Sequence, residues 1–196
     1  EKLPSNLKER KLFPVGLCDS EKSLKMYMCK KPQVSSQFLP MREFLDRFPK
    51  SDRFDVEYET FLDCVALDDL HLPSSDFIKI DVEGGELAVL IGASKTLQNT
   101  FGLEVEVEFL HLHKGQPLFG DICEYLTSFG FELVDFTRIL RWERYSHNEF
   151  GQSVLGDALF LKPPEYVLNK HRTIKSISAY LKILVLYRRF DLIESV

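Results

Sequence analysis

Between Asp76 and Glu86 the chain reads DFIKIDVEGGE, a short apolar run that breaks into Asp81, Glu83 and Glu86 around the pair Gly84-Gly85. Carboxylates so placed suit proton abstraction from a bound substrate, or the capping of a helix that starts at the glycines. Leu103 to His113 alternates, with Val105, Val107 and Phe109 on one face and Glu104, Glu106 and Glu108 on the other. His111 and His113 follow at i, i+2 spacing and, with Glu108 or Asp81, offer donors to a metal. Most pairs so spaced are not ligands, so no metal site is assigned. Trp142-Glu143-Arg144-Tyr145 joins an aromatic plane to a cation, which suits stacking on a sugar ring or the anchoring of a loop to the core.

The elements that must hold these groups follow from periodicity. Phe77–Ile80 predicts a compact strand, and Glu86 to Leu97 a helix, with Leu87, Leu90, Ile91 and Ser94 on one face. Phe119 to Phe129 predicts a helix ended by Gly130, Phe131–Phe136 and Asp157–Leu161 predict strands, and residues 165–190 predict mainly helix. Upstream, Lys11–Cys18 and Ser23–Met28 read as strands around the turn Asp19-Ser20-Glu21-Lys22, and residues 30–40 as loop. Met41–Phe48 reads as a short helix closed by Pro49, Phe54–Val65 as extended, and Asp68-Asp69-Leu70 as a turn. Strands alternating with helices predict an α/β domain with a parallel sheet. The last two strands have no helix between them, so one is expected to run antiparallel.

In such a sheet ligands sit beyond the carboxyl ends of the strands. That places Asp81, Glu83 and Glu108 at the crevice, Glu108 with the strongest claim among the three alternating glutamates. Glu86 reads as a structural cap. Glu104 and Glu106 are expected where helical cover is incomplete, or paired with Lys or Arg, because a covered sheet buries both faces.

A chain of 196 residues with 44% apolar content fits one domain with a real core. Its net charge, 25 − 30 = −5, argues against a general phosphate-binding surface and so against nucleic acid as a partner. Cys18, Cys29, Cys64 and Cys123 show no CxxC spacing, which predicts free thiols and a cytoplasmic protein. Glu1-Lys2-Leu3-Pro4 does not read as a signal peptide, and the most apolar stretch, Ile177–Tyr187, contains Lys182 and is too short to span a bilayer. Ile174, Ile177, Leu181 and Leu184 recur at helical spacing before Arg188-Arg189, which suits a helix docked on its own domain or on a second copy. Residues 1–163 are taken as one unit and 164–196 as a helical extension.

The stretch Asp76–Ala93 (DFIKIDVEGGELAVLIGA) resembles the hallmark strand–turn–helix of the FkbM family of S-adenosylmethionine-dependent methyltransferases. Phe13–Asp19 (FPVGLCD), Ser35-Ser36, Val65–Leu70 (VALDDL), Glu104–Phe109 (EVEVEF), Gln116–Phe119 (QPLF), Trp142-Glu143-Arg144 and Gly156–Leu161 (GDALFL) fall in the family's order, so the resemblance spans roughly residues 11–162. It implies a Rossmann-like class I methyltransferase sheet with a C-terminal helical extension. The implied reaction is O-methylation of a hydroxyl on a sugar or natural-product small molecule, with S-adenosylmethionine as donor. By the same resemblance Asp81, Glu83 and Glu108 are catalytic, Leu17, Cys18, Asp19 and Asp81 bind the cofactor, and His111, Trp142 and Arg144 bind the acceptor.

The family holds its cofactor on a glycine-rich turn after the first strand and uses an acidic residue ending the second for the ribose. Neither element is found here, so the chain resembles the C-terminal part of such a domain, starting near its third strand. These residues by themselves are expected to bind S-adenosylmethionine weakly. Phe77–Ile80 would lie beside the lacking first strand, an open edge that self-association or a strand from elsewhere is expected to cover. Two other classes compete: a non-catalytic binding or assembly module in a methyltransferase-like shell, and a metal-dependent hydrolase with Asp81, Glu83 and Glu108 around divalent ions.

Overall fold

A computed structural model describes residues 11–145, 150–171 and 173–196; the Glu1–Pro4 stretch lies outside them. Its strands form two sheets where one was expected. In the first, β1 (Gly16–Cys18) and β2 (Lys22–Cys29) flank the long β3 (Val56–Ala66), β1 parallel and β2 antiparallel to it. The second contains β4 (Phe77–Ile80), β5 (Gly102–Glu108), β6 (Glu132–Trp142) and β7 (Gln152–Leu161) in the order β4-β5-β7-β6. β4 and β5 are parallel, and β7 is antiparallel to both neighbours, as the missing crossover helix predicted. β1 and β4 each end a sheet, and among the described residues no strand pairs with their outer edges.

The first two strands do not pair with each other, as a hairpin would. Gly16 and Lys22 both register with Cys64 of β3, one from each side. The chain therefore crosses the end of β3 between Cys18 and Lys22, over a turn tied by an Asp19–Lys22 ion pair and by the Cys18 thiol donating to the Ser20 carbonyl at 2.6 Å. Local pattern fixes strand character but not the neighbour.

The main core lies on β5, where Leu103, Val105 and Val107 are fully buried against Val89, Leu90, Ala93, Leu97, Ile122 and Leu126. Burying each such side chain stabilises the fold by about 1.5–3 kcal/mol. In chain order the helices are α1 (Arg42–Leu45), α2 (Glu86–Ile91), α3 (Ser94–Leu97), α4 (Phe119–Ser128), α5 (Pro164–Lys170), α6 (Ile174–Leu186) and α7 (Phe190–Ile193). α1 seats Phe44, Leu45 and Phe48 with Phe54 against Leu112, Val154 and Leu155. The C-terminal helices place Val167, Tyr180, Ile183 and Leu184 on Phe101, Leu159 and Leu161. Among the described residues no helix is long and apolar enough to cross a membrane, and all four cysteines are free thiols.

The helix expected over Glu86–Leu97 is two helices. Asp68 supplies the break, accepting the backbone N–H groups of Lys95 at 2.7 Å and Thr96 at 2.9 Å, so α3 starts on a cap lent by the β3–β4 connection. Gly92 sits at the joint, pressed on β1: a Cβ there would lie 2.0 Å from the Cys18 carbonyl oxygen. Backbone cannot swing aside as a flexible side chain can. Gly92→Ala is accordingly expected to cost about 1–3 kcal/mol, read as a lower urea midpoint with an unchanged slope. An unchanged midpoint would mean that β1 is not held against α2 in this way.

Candidate functional site

Beyond β4 the backbone turns through two left-handed residues, Glu83 at φ +55° and Gly84 at φ +99°. Gly84 tolerates this freely, whereas Glu83 does so at a cost and must be held. The holding group is Ser36, a buried residue of the loop after β2. Its hydroxyl donates to the Glu83 carbonyl at 2.6 Å and accepts from the Phe38 N–H at 3.2 Å, while its backbone pairs with Tyr27. Glu86, buried at the start of α2, accepts the Val82 N–H at 2.9 Å. Its role is structural, bracing the turn ahead of α2 rather than capping the helix itself.

The three alternating glutamates of β5 meet three environments. Glu104 pairs with Lys79 across the β4–β5 register and accepts the Thr137 hydroxyl at 3.3 Å. Burial opposes its charge, but the Lys79 hydrogen bond and charge outweigh it and hold Glu104 below the usual range. Glu106 stands opposite Asp157 of β7, and Arg138 of β6 bridges the two, 3.5 Å from Glu106 Oε1 and 2.8 Å from Asp157 Oδ2. The pairing with Lys and Arg expected for Glu104 and Glu106 is therefore present. Glu108 is 3% exposed and lies beside the buried Gln116, with Glu86, Glu106 and Glu83 as its charged neighbours.

Charge of one sign accumulates here in a dry place. Burial first, then the charges of Asp81 and Glu86, push Glu83 up to about 7. Burial and the charges of Glu83, Asp81, Glu86 and Asp157 push Glu106 to about 8. Glu108 is pushed to about 9 by burial and by Glu86, Glu106 and Glu83, with the nearby Gln116 side chain opposing the shift.

Glu83 and Glu106 open onto a cleft of about 210 Å³, walled also by Lys31, Gln33, Arg53, Arg138 and Trp142. The cleft lies at the carboxyl end of β5, where an α/β sheet keeps its ligand. The structure thus gathers Asp81, Glu83 and Trp142 around one place and adds Glu106 and Arg138. Asp81 is exposed at the strand end, with one carboxylate oxygen within 4.8 Å of oxygens from Glu83 and Glu106.

Other predicted site residues lie elsewhere. β5 ends at Glu108, so His111 and His113 stand in the following loop and not on a strand face: His111 is exposed and His113 buried against Gln116. The expected strand run to His113 ends early because Phe109 and Leu110 bend away and Leu112 enters the α1 core. Trp142 packs on Phe48 at 5.4 Å and carries the Arg53 guanidinium 4.6 Å over its ring, so much of its face serves the core. Arg144 is exposed over Phe48 at 5.9 Å. Glu108 lies behind Glu106 and does not wall the cleft. Leu17 walls a second hollow of about 120 Å³ with Gly16, Val82 and Gly85; Cys18 is buried, and exposed Asp19 pairs with Lys22. Arg138 and Lys31 carry no distinct sequence signal, since nothing local ties either of them to the acidic corner. Glu106 had one: it shares a face with Glu108.

The methyltransferase FkbM domain matches residues 1–133, which is 133 of 196 residues and includes Asp81, Glu83, Glu106 and Glu108. Arg138 and Trp142 follow the matched region. No curated protein and no solved structure matches the chain.

Proposed function

The chain belongs to the FkbM methyltransferase family, and we propose that its cleft is the acceptor site of an S-adenosylmethionine-dependent O-methyltransferase. The acceptor is a hydroxyl of a sugar or natural-product small molecule. The observation that carries this reading is the cleft: two carboxyls, Glu83 and Glu106, face the cations Lys31 and Arg138 across about 210 Å³ at the end of β5. Small-molecule sites commonly run to about 300–1,000 Å³, so this space suits one ring of an acceptor. Polar groups of both signs along its wall match the donor and acceptor faces of a polyol.

The donor would supply an electrophilic methyl group on a sulfonium, which would leave as a neutral thioether with the electron pair of the broken carbon–sulfur bond once the acceptor oxygen had taken the methyl. The hydroxyl proton passes to the Glu83 carboxylate, which becomes a neutral acid. Catalysis rests on alignment of oxygen, carbon and sulfur and on removal of that proton. Glu83 is suited by place: it walls the cleft, it is half-buried, and Ser36 fixes its backbone.

The test is methyl transfer by the full-length protein from donor labelled in the methyl group to a panel of glycans and hydroxylated natural products. The expected product carries the label as a base-stable ether. Label found on a carboxyl or a nitrogen, or none on any hydroxyl acceptor, overturns the reading.

A further inference from the structure

We propose that Asp81, Glu83 and Glu106 form a site for a divalent cation of hard, oxygen-preferring chemistry: Mg²⁺, Mn²⁺ or Ca²⁺. The proposal deepens the methyl-transfer reading, since such an ion would lie in the acceptor cleft.

One carboxylate oxygen from each of the three residues lies within 4.8 Å of the other two. Two oxygens on one Ca²⁺ at about 2.3–2.6 Å lie no more than about 5 Å apart, and on one Mg²⁺ at about 2.0–2.1 Å no more than about 4 Å, so the set is within reach of one ion, with the carboxylates drawing closer for the smaller cations. Three elements supply the donors: the end of β4 gives Asp81, the left-handed turn gives Glu83, and β5 gives Glu106. The donor set is all carboxylate, with no thiolate or imidazole, which selects hard cations over zinc or copper.

A second observation points to a ligand. Glu106 is 5% exposed, and its Oε2 atom is buried with no hydrogen-bond partner among the described residues. Its other oxygen meets Arg138 only at 3.5 Å. Opposite it on β7, Asp157 is 7% exposed and leaves Oδ1 equally unpartnered. Buried carboxylate oxygens are ordinarily satisfied, and leaving one bare is costly. Asp81, Glu83, Glu106 and Asp157 bring four carboxyls to one corner, where among the described residues the ion pairs come from Arg138 alone. Glu104, on the same face of β5, is excluded because Lys79 already occupies it. The competing way to relieve this charge is to protonate the carboxyls, and the two occupants give different results below.

Three protein oxygens leave coordination positions for water or for hydroxyls of an acceptor. A hydroxyl on the ion would be fixed beside Glu83, whose second carboxylate oxygen remains free for its proton.

The experiment uses the full chain stripped with chelator, titrated separately with MgCl₂, MnCl₂ and CaCl₂ in a calorimeter. A second readout is Tb³⁺ luminescence excited through Trp142, the single tryptophan of the sequence and a wall of the same cleft. The expected result is saturable binding of one ion with a dissociation constant of about 10⁻³ M or tighter, with sensitised Tb³⁺ emission. Glu106→Gln should weaken binding at least about tenfold and quench the emission, while Glu104→Gln leaves both near parental values. Thermal melts of both variants establish that they fold. Absence of saturable binding by all three ions, or equal binding by Glu106→Gln and the parent, overturns the site and assigns the charge relief to protons. No methyl transfer is read, so that failure leaves the methyltransferase reading standing. Saturable binding with no transfer would do the reverse.

Discussion

Glu83→Gln is expected to lower methyl transfer by the full-length protein about 10²–10⁴-fold, the usual span for loss of a positioned base. The amide keeps the shape of the side chain and cannot take the hydroxyl proton. The fold should tolerate the change or gain from it. Burial and the neighbouring Asp81 and Glu86 hold Glu83 up at about 7, so its charge opposes folding, and the Ser36 hydroxyl grips the Glu83 backbone carbonyl, which the substitution leaves in place. Initial rates at saturating donor, taken beside thermal melts of parent and variant, give both halves of the expectation. A near-parental rate in a folded variant removes Glu83 as proton acceptor. A lost rate with a lost fold would instead place Glu83 in the structure of the turn.

That turn was readable from DFIKIDVEGGE because its causes are local. An apolar alternation gives β4 its bounds, Phe77–Ile80, and a glycine pair followed by periodic leucines gives a corner and a helix. What the sequence did not yield depends on groups distant along the chain. Glu86–Leu97 has one continuous period, yet it forms two helices because Asp68 reaches from another connection to cap the second. Lys11–Cys18 and Ser23–Met28 look like a hairpin, yet β3 comes between them, and its claim on both edges is written some 40 residues later. Local pattern gives the element types, while their bounds and neighbours come from distant groups: β1 covers only Gly16–Cys18 of the expected strand.

The site divides the same way. Strand parity puts Glu104, Glu106 and Glu108 on one face, which is correct, but it ranks them by nearness to the strand end and so favours Glu108. Their roles are set instead by partners from other strands: Lys79 neutralises Glu104, and Arg138 with Asp157 turns Glu106 toward the cleft wall. Glu108 is left deeper, against Gln116. The aromatic and basic mixture at Trp142 suits a sugar platform or a loop anchor: its ring packs on Phe48 and Phe54 under the Arg53 cation and also walls the cleft.

In chelated buffer the thermal stability of the chain is expected to fall as pH rises between about 5 and 9. Three buried carboxyls with a model-compound value of 4.5 are pushed to about 7, 8 and 9 in the folded chain, at Glu83, Glu106 and Glu108. Between the unfolded and folded values the native state binds more protons than the unfolded one, so each upward step in pH favours unfolding. The slope is about 1.4 kcal/mol per pH unit for each carboxyl that is protonated when folded and ionised when unfolded. Asp68 has the opposite sense: held low by hydrogen bonds from Thr96 and Lys95 against the opposing effect of burial, it contributes stability above its unfolded value that is lost in acid. The two trends place the maximum near the acid end of the range, about pH 5. Glu108→Gln separates their sources, because it removes the highest of these three carboxyls without touching the three proposed cation ligands, while Glu86, which burial also pushes up, stays in place. It should flatten the alkaline fall and raise the melting temperature at pH 8 over the parent's. A divalent cation should flatten the same fall in the parent by a different route, replacing protons on Glu83 and Glu106 with a fixed positive charge. If stability instead climbs from pH 5 to 9 without any cation, the carboxyls of this corner are not repelling one another, and the charge imbalance that calls for an ion is absent.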